Sequence, residues 1–252
     1  MTDDYGTPAP TLAMIRDNLC RVEQRIQSAC GAAGRDRNQV TLVAVTKGRG
    51  LDEIRAACAC GLCDLGENRI EELESKRPLV EQALAPELPT WHMIGHIQSR
   101  KADRVAANVA LIHSVDSIAL AQRLDRFGQS REARVRVLLQ VNVSGEDTKS
   151  GFPVTTDAQI GAFLASVDAL AGLSHLQIEG LMTIAPLAQQ PEDTRPVFRQ
   201  TQMLRDRLRS AFPFSRWDAL SMGMSDDFEI AIQEGATLVR IGRALFEPHD
   251  SK

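Results

Sequence analysis

From residue 12 to 29 the apolar positions Leu12, Ile15, Leu19, Val22, Ile26 and Ala29 recur at three- and four-residue intervals, with Arg, Asp, Glu and Gln between them. This spacing lays one apolar stripe along a helix, which Gly31 or Gly34 is placed to end. From Val40 onward the pattern changes. Short apolar runs rich in β-branched residues stand at 40–45, 63–65, 91–94, 111–113, 134–141, 176–181, 219–221 and 237–241. Between them, helical periodicity predicts helices near 51–60, 68–84, 99–107, 117–128, 157–171, 193–211 and 225–234. Strand and helix alternating in this way call for parallel strands joined by helical crossovers. Eight such units suit an α/β fold closed into a single (β/α)8 TIM barrel, preceded by an extra helix, since such barrels use about 250 residues as one domain. An open doubly wound sheet is the alternative, but no G-x-G-x-x-G follows the first strand. The organisation expected is a mobile N-terminus at 1–10, one barrel over 11–248 and a tail at 249–252.

Composition narrows the class. The 252 residues are 43% hydrophobic and 25% charged, an ordinary globular balance. Lys plus Arg number 29 against 33 Asp plus Glu, the wrong imbalance for a nucleic-acid binder. No apolar run approaches the ~20 residues of a membrane span, and the acidic, Pro-containing start lacks the basic and apolar regions of a signal peptide. A cytoplasmic protein is expected, either monomer or weak homodimer. Cys58, Cys60 and Cys63 are expected to be small buried hydrophobes, because a C-x-C-x-x-C stretch without a nearby fourth ligand is a poor metal site. His92 and His96 have a helical metal spacing, but WHMIGH reads as strand then turn, so no metal is expected. The arginines of 195–209 read as the solvated face of a helix.

In barrel enzymes the site lies at the C-terminal ends of the strands. Here the eight ends carry the unusual residues: Thr46-Lys47, Gly66-Glu67-Asn68, Gly95 to Ser99, His113 to Ser117, Asn142 to Gly145, Met182-Thr183, Ser221 to Ser225 and Arg240-Ile241-Gly242. The last two loops suit a phosphate: Gly223 and Gly242 allow close backbone approach, and Ser225 offers a hydroxyl at the start of a helix. Asp226 and Asp227 count against an anion there. Lys47 at a strand terminus is a solvated lysine taken alone, but opposite a phosphate site it becomes a candidate Schiff-base amine. Arg240 would lie near the ring of such a ligand, its guanidinium only donating hydrogen bonds; the alternative is a salt bridge to Glu67 or Glu229.

The segments LVAVTK, LGENRIEE, WHMIGHIQSRK, HSVDS, QVNVSGEDTKSGF, IEGLMTIAP and LSMGMSDDFEIAIQEGATLVRIGRALF, from about 41 to 246, together resemble the pyridoxal-phosphate homeostasis proteins. That family shares its barrel with the N-terminal domain of alanine racemase. The resemblance implies pyridoxal 5′-phosphate (PLP) as cofactor, Lys47 as its Schiff-base lysine, and contacts from Asn68, Met224, Ser225, Arg240 and Gly242, with Arg240 facing the pyridine nitrogen. Arg243 departs from the small hydroxyl residue usual after that glycine, and its side chain either reaches the phosphate or points away. The function implied is a PLP carrier or buffer in intracellular PLP homeostasis, with PLP-dependent apo-enzymes as recipients. A PLP-dependent racemase on the same barrel is the alternative. Racemisation needs an acid or base on each face of the cofactor, and Tyr5, the chain's one tyrosine, lies in the N-terminus; His96 or Cys63 would have to substitute. A third class, a barrel enzyme acting on sugar or nucleotide phosphates, predicts no aldehyde chemistry.

Overall fold

The computed structural model describes residues 8–146 and 149–248. Eight parallel strands close on themselves: β1 (Thr41–Val45), β2 (Asp64–Glu67), β3 (Thr90–Met93), β4 (Leu111–Val115), β5 (Val135–Asn142), β7 (Leu176–Met182), β8 (Ala219–Ser221) and β9 (Leu238–Ile241). Each pairs with the next, β4 with β5 and β9 back to β1, so the barrel has no open edge. A two-residue strand, β6 (Phe152–Pro153), which periodicity is too short to reveal, lies beside the end of β5. Helices α1 (Ala9–Ala32), α2 (Leu51–Ala59), α3 (Ile70–Leu84), α4 (Ala102–Asn108), α5 (Ile118–Ser130), α6 (Asp157–Leu170), α7 (Arg195–Ala211), α8 (Phe228–Gln233) and α9 (Arg243–Phe246) accompany the strands. The eight expected strands are all present, each displaced by a few residues at most.

Alternation along each strand sorts the core into two. Outward residues such as Leu42, Ala44, Leu65, Trp91, Met93, Leu139 and Ile241 pack with the helices, where Ile15, Val22 and Ile26 of α1 join them. Inward residues Val43, Leu111, Leu138, Met182 and Leu238 form a smaller apolar plug. Other inward positions are polar: His92, His113, Ser221 and Arg240 are all buried. The plug therefore fills only part of the barrel.

Several expectations are corrected. The helix after β8 begins at Phe228 rather than 225, because Asp227 takes the N-cap position and its Oδ1 accepts the Met224 N–H at 2.6 Å. Ser225 therefore lies in the preceding turn. Helix α1 starts at Ala9, inside the segment expected to be mobile; Tyr5 lies outside the described residues. Of the cysteines, Cys30 is buried while Cys58 and Cys60 are half-buried and Cys63 is exposed, since the turn between α2 and β2 runs along the surface. Burial nonetheless pushes the Cys58 thiol up to about 12. Arg195 and Arg199 are not merely solvated: both hold Glu234 at the C-terminus of α8, at 2.7 and 3.0 Å.

Among the described residues no helix is long and apolar enough to cross a membrane. Nor, among them, are three or more His, Cys, Asp or Glu side chains placed to hold a metal ion.

Candidate functional site

The strand order β8-β9-β1-β2-β3 brings the predicted residues together along one arc of the C-terminal rim. Lys47 follows β1 and is exposed. Its segment is anchored from below: the Thr46 hydroxyl donates to Glu67 Oε1 at 2.7 Å, and the Gly48 N–H donates to Glu72. Lys76 of α3 completes the anchor by donating to the Thr46 carbonyl at 2.7 Å, to Glu67 Oε1 at 2.9 Å and to Glu72. Glu67 is fully buried and burial raises its carboxyl pKa despite the hydrogen bonds from Thr46 and Lys76. Its other oxygen, Oε2, has no hydrogen-bond partner.

Asn68 follows Glu67 and is half-buried at the mouth. Gly95, after β3, runs so close that a Cβ there would stand 2.3 Å from the Asn68 carbonyl oxygen, so only glycine fits. A cavity of about 300 Å³ opens beside them, lined in part by Asn68, Gly95, His96, Gln140 and Asn142.

On the other side of Lys47, the loops after β8 and β9 are tied together. Gly223 has φ +92°, and a Cβ would come within 2.6 Å of the Ala231 methyl, so the turn demands glycine. Ser225 Oγ accepts the Ala244 N–H at 3.3 Å, which leaves its own O–H to donate. Gly242 packs against Val45, where a Cβ would stand 3.4 Å from the valine Cβ. The Met224 N–H is already engaged by Asp227, and its side chain is exposed. Arg243 pairs with Asp226 at the outer rim, both of them exposed. A second cavity of about 330 Å³ there is lined by Ser225, Asp226 and Arg243 together with Arg21 and Arg25 of α1.

Arg240 is 4% exposed and makes no salt bridge to Glu67 or Glu229, which pair instead with Lys76 and Arg25. Its guanidinium donates to Ser221 Oγ at 2.6 Å and to the Thr183 carbonyl at 2.9 Å. Burial pulls its pKa down to about 10, with Asp227 acting in the opposite sense, so it remains a cation at neutral pH. His113, which the sequence reading places in the polar ring at the strand ends, lies instead inside β4 and points into the barrel, where it stands behind Ser221 with His92, a residue that reading leaves outside the site. The signal available was their position: histidines at inward-facing places in strands that are otherwise apolar.

The histidines of WHMIGH do not converge. His92 points into the barrel, whereas the exposed His96 faces Asp116 with Nδ1 and Oδ2 2.9 Å apart. Cys63 precedes β2 and so lies at the opposite rim from Lys47.

The donor set fits a phosphorylated pyridine aldehyde. It offers an exposed primary amine, a hydroxyl beside the glycine turn at 223 and the Gly242 backbone, and a buried cation that can only donate. Comparisons point the same way. Residues 16–249 match the family model described as alanine racemase, N-terminal domain. The chain is 40% identical over 241 residues to a pyridoxal phosphate homeostasis protein of Pseudomonas aeruginosa, covering 95% of this chain and 97% of that one. It is 39% identical over 230 residues to the protein of the same name from Aquifex aeolicus, covering 91% and 96%. Among solved structures, PipY of Synechococcus elongatus with PLP bound superposes with a TM-score of 0.79 at 34% identity, over 92% of this chain and 99% of that one. Alanine racemase of Clostridium difficile, at 16% identity and a TM-score of 0.69, shares the fold over 95% of this chain but only 61% of its own.

Proposed function

We propose, on the premise that the chain belongs to the pyridoxal phosphate homeostasis protein family, that it binds PLP reversibly as a Schiff base on Lys47 and acts as a carrier or buffer of the cofactor. The observation that carries the reading is the convergence of Lys47, Asn68, Ser225, Arg240 and Gly242 on one arc of the barrel mouth. When bound, the cofactor supplies an aldehyde and a chromophore. The Lys47 amine, once unprotonated, adds to that aldehyde; a C=N bond forms and water leaves. Glu67, Glu72 and Lys76 hold the segment that carries the amine. The Ser225 hydroxyl and the backbone around Gly223 and Gly242 receive the phosphate, while Asn68 bounds the ring on the β2 side. Met224 contributes through its exposed side chain, since its N–H is spent on Asp227. Arg243 must leave Asp226 to reach the phosphate, and we assign it that role only in the loaded state.

Arg240 faces the ring nitrogen. A donor-only cation there would keep that nitrogen unprotonated and make the ring a weaker electron sink. Of the described residues considered for the racemase's second acid–base group, Cys63 is at the wrong rim and His96 is tied to Asp116, which supports the carrier reading. Loaded protein then yields PLP to apo-enzymes in the cytoplasm.

Purified protein mixed with PLP should show the visible band of a protein Schiff base, and borohydride reduction should fix the adduct on Lys47. Lys47→Ala should show neither; an adduct mapping to another lysine would sink the assignment. Incubation of loaded protein with one amino-acid enantiomer in D2O should leave the α-position unlabelled, and sustained deuterium incorporation would defeat the carrier reading in favour of the racemase.

A further inference from the structure

Arg240 carries a positive charge into the barrel with Asp227 near enough to favour it but no carboxylate hydrogen-bonded to it: its hydrogen bonds go to a hydroxyl and a carbonyl. A buried ion without a hydrogen-bonded counter-charge is costly unless its surroundings are polarised toward it. The path from its acceptor leads across the barrel. Ser221 Oγ, 2.6 Å from the guanidinium, lies 2.8 Å from His113 Nδ1. His113 Nε2 lies 2.9 Å from His92 Nδ1, and His92 Nε2 lies 2.9 Å from Asp64 Oδ1. The two imidazoles meet edge to face, with an interplanar angle of 69°. Ser221 and His113 are fully buried and His92 is 4% exposed. Asp64 opens β2 at the N-terminal rim, away from the mouth, and its side chain is 31% exposed.

With both imidazoles neutral, the carboxylate end of this line sets its direction. A guanidinium only donates and a carboxylate only accepts. Ser221, receiving Arg240, donates its hydroxyl proton to His113 Nδ1; His113 donates from Nε2 to His92 Nδ1; His92 donates from Nε2 to Asp64. In this arrangement both histidines carry their proton on Nε2, and each bond polarises the next.

We propose that Ser221, His113, His92 and Asp64 are positioning residues for Arg240, a one-way hydrogen-bonded line from the far rim that fixes the guanidinium at the mouth. Resting on the PLP reading above, this makes a carboxylate remote from the cofactor a determinant of how firmly the ring nitrogen is held.

The test reverses the polarity of the line at its accessible end. Asp64→Lys puts a donor where an acceptor stood, so the histidine tautomers must invert or the line must break; Asp64→Asn keeps an acceptor oxygen. PLP affinity should fall about tenfold or more in Asp64→Lys and in Ser221→Ala, the scale of one lost hydrogen bond to a charged group. The visible band should shift in both, while Asp64→Asn stays near wild type. Circular dichroism melting checks that each variant folds. In the cofactor-free protein, imidazole nitrogen NMR should show Nε2–H on both His92 and His113, with the pattern changed in Asp64→Lys.

A wild-type Nδ1–H tautomer at either histidine would overturn the proposal. So would wild-type band and affinity in both Asp64→Lys and Ser221→Ala. If the wild-type protein forms no band at all, the PLP reading fails instead, and the tautomer measurement still decides whether the line exists.

Discussion

His113 sits between His92 and Ser221 with no exposed surface, and burial holds its imidazole well below the ordinary 6.5, with His92 and Arg240 pushing the same way. The sign of the consequence follows from linkage. In the unfolded chain the histidine takes up a proton as pH falls through about 6.5, while in the folded barrel it stays neutral. A depressed folded pKa thus contributes stability above that value and loses it below. From this one residue the loss should be about 1.4 kcal/mol per pH unit until the folded histidine itself titrates. His113→Gln should flatten the slope of unfolding free energy between pH 6.5 and 5 by roughly that amount, whatever its baseline stability. Equal slopes for the two proteins in denaturant titrations would show that His113 is protonated within the fold.

Between elements, the contact that most constrains the site is the one α3 makes with the end of β1 through Lys76. Its ammonium answers a carboxylate with no side-chain exposure, Glu67, and the carbonyl of the residue before Lys47. Lys76→Met should cost about 3 kcal/mol, because removing one partner of a buried pair strands the other. Adding Glu67→Gln should recover much of this, and the urea midpoint with an unchanged m-value is the measurement. Single substitutions that simply add would mean the pair is not coupled.

This scale also separates what the chain made legible from what it did not. The strands could be read because buried parallel strands are short apolar runs, and Lys47, Ser225 and Arg240 stood out because they end such runs. Pairings between distant elements have no local signature. Nothing near Lys76 announces Glu67, and nothing in WHM or IHS announces that two histidines meet across neighbouring strands. The start of α8 is not legible for a related reason: SDD offers several capping residues, and only the fold decides that Asp227 stands at the N-cap position with its carboxylate turned back to the Met224 N–H.

At the scale of the whole barrel, closure is uneven, and the weakest stretch lies under the site. Strands β5 and β7 stay paired from Val135↔Leu176 to Gln140↔Met182, whereas β8 meets β9 through Ser221↔Leu238. What else joins that seam comes from irregular bonds: the Thr237 N–H to the Leu220 carbonyl at 2.9 Å, the Leu220 N–H to Thr237 Oγ1 at 2.8 Å, the Met222 N–H to the Leu238 carbonyl at 3.1 Å and the Arg240 N–H to the Gly223 carbonyl at 3.0 Å. Local opening is drawn from such low-stability regions. In the binding mode proposed above, a phosphate held by Ser225 on one side and Gly242 on the other would close the seam that the strands leave short. Amide hydrogen exchange at Met222 and Arg240 should therefore be faster than in β5 and β7 in the free protein, and should slow on adding PLP. Lys47→Ala should weaken this protection by as much as it weakens binding, since a ligand stabilises only in proportion to its occupancy. If PLP protected β5 and β7 equally, the seam would open only with the whole barrel, and the cofactor would act as a global ligand rather than a staple between two loops.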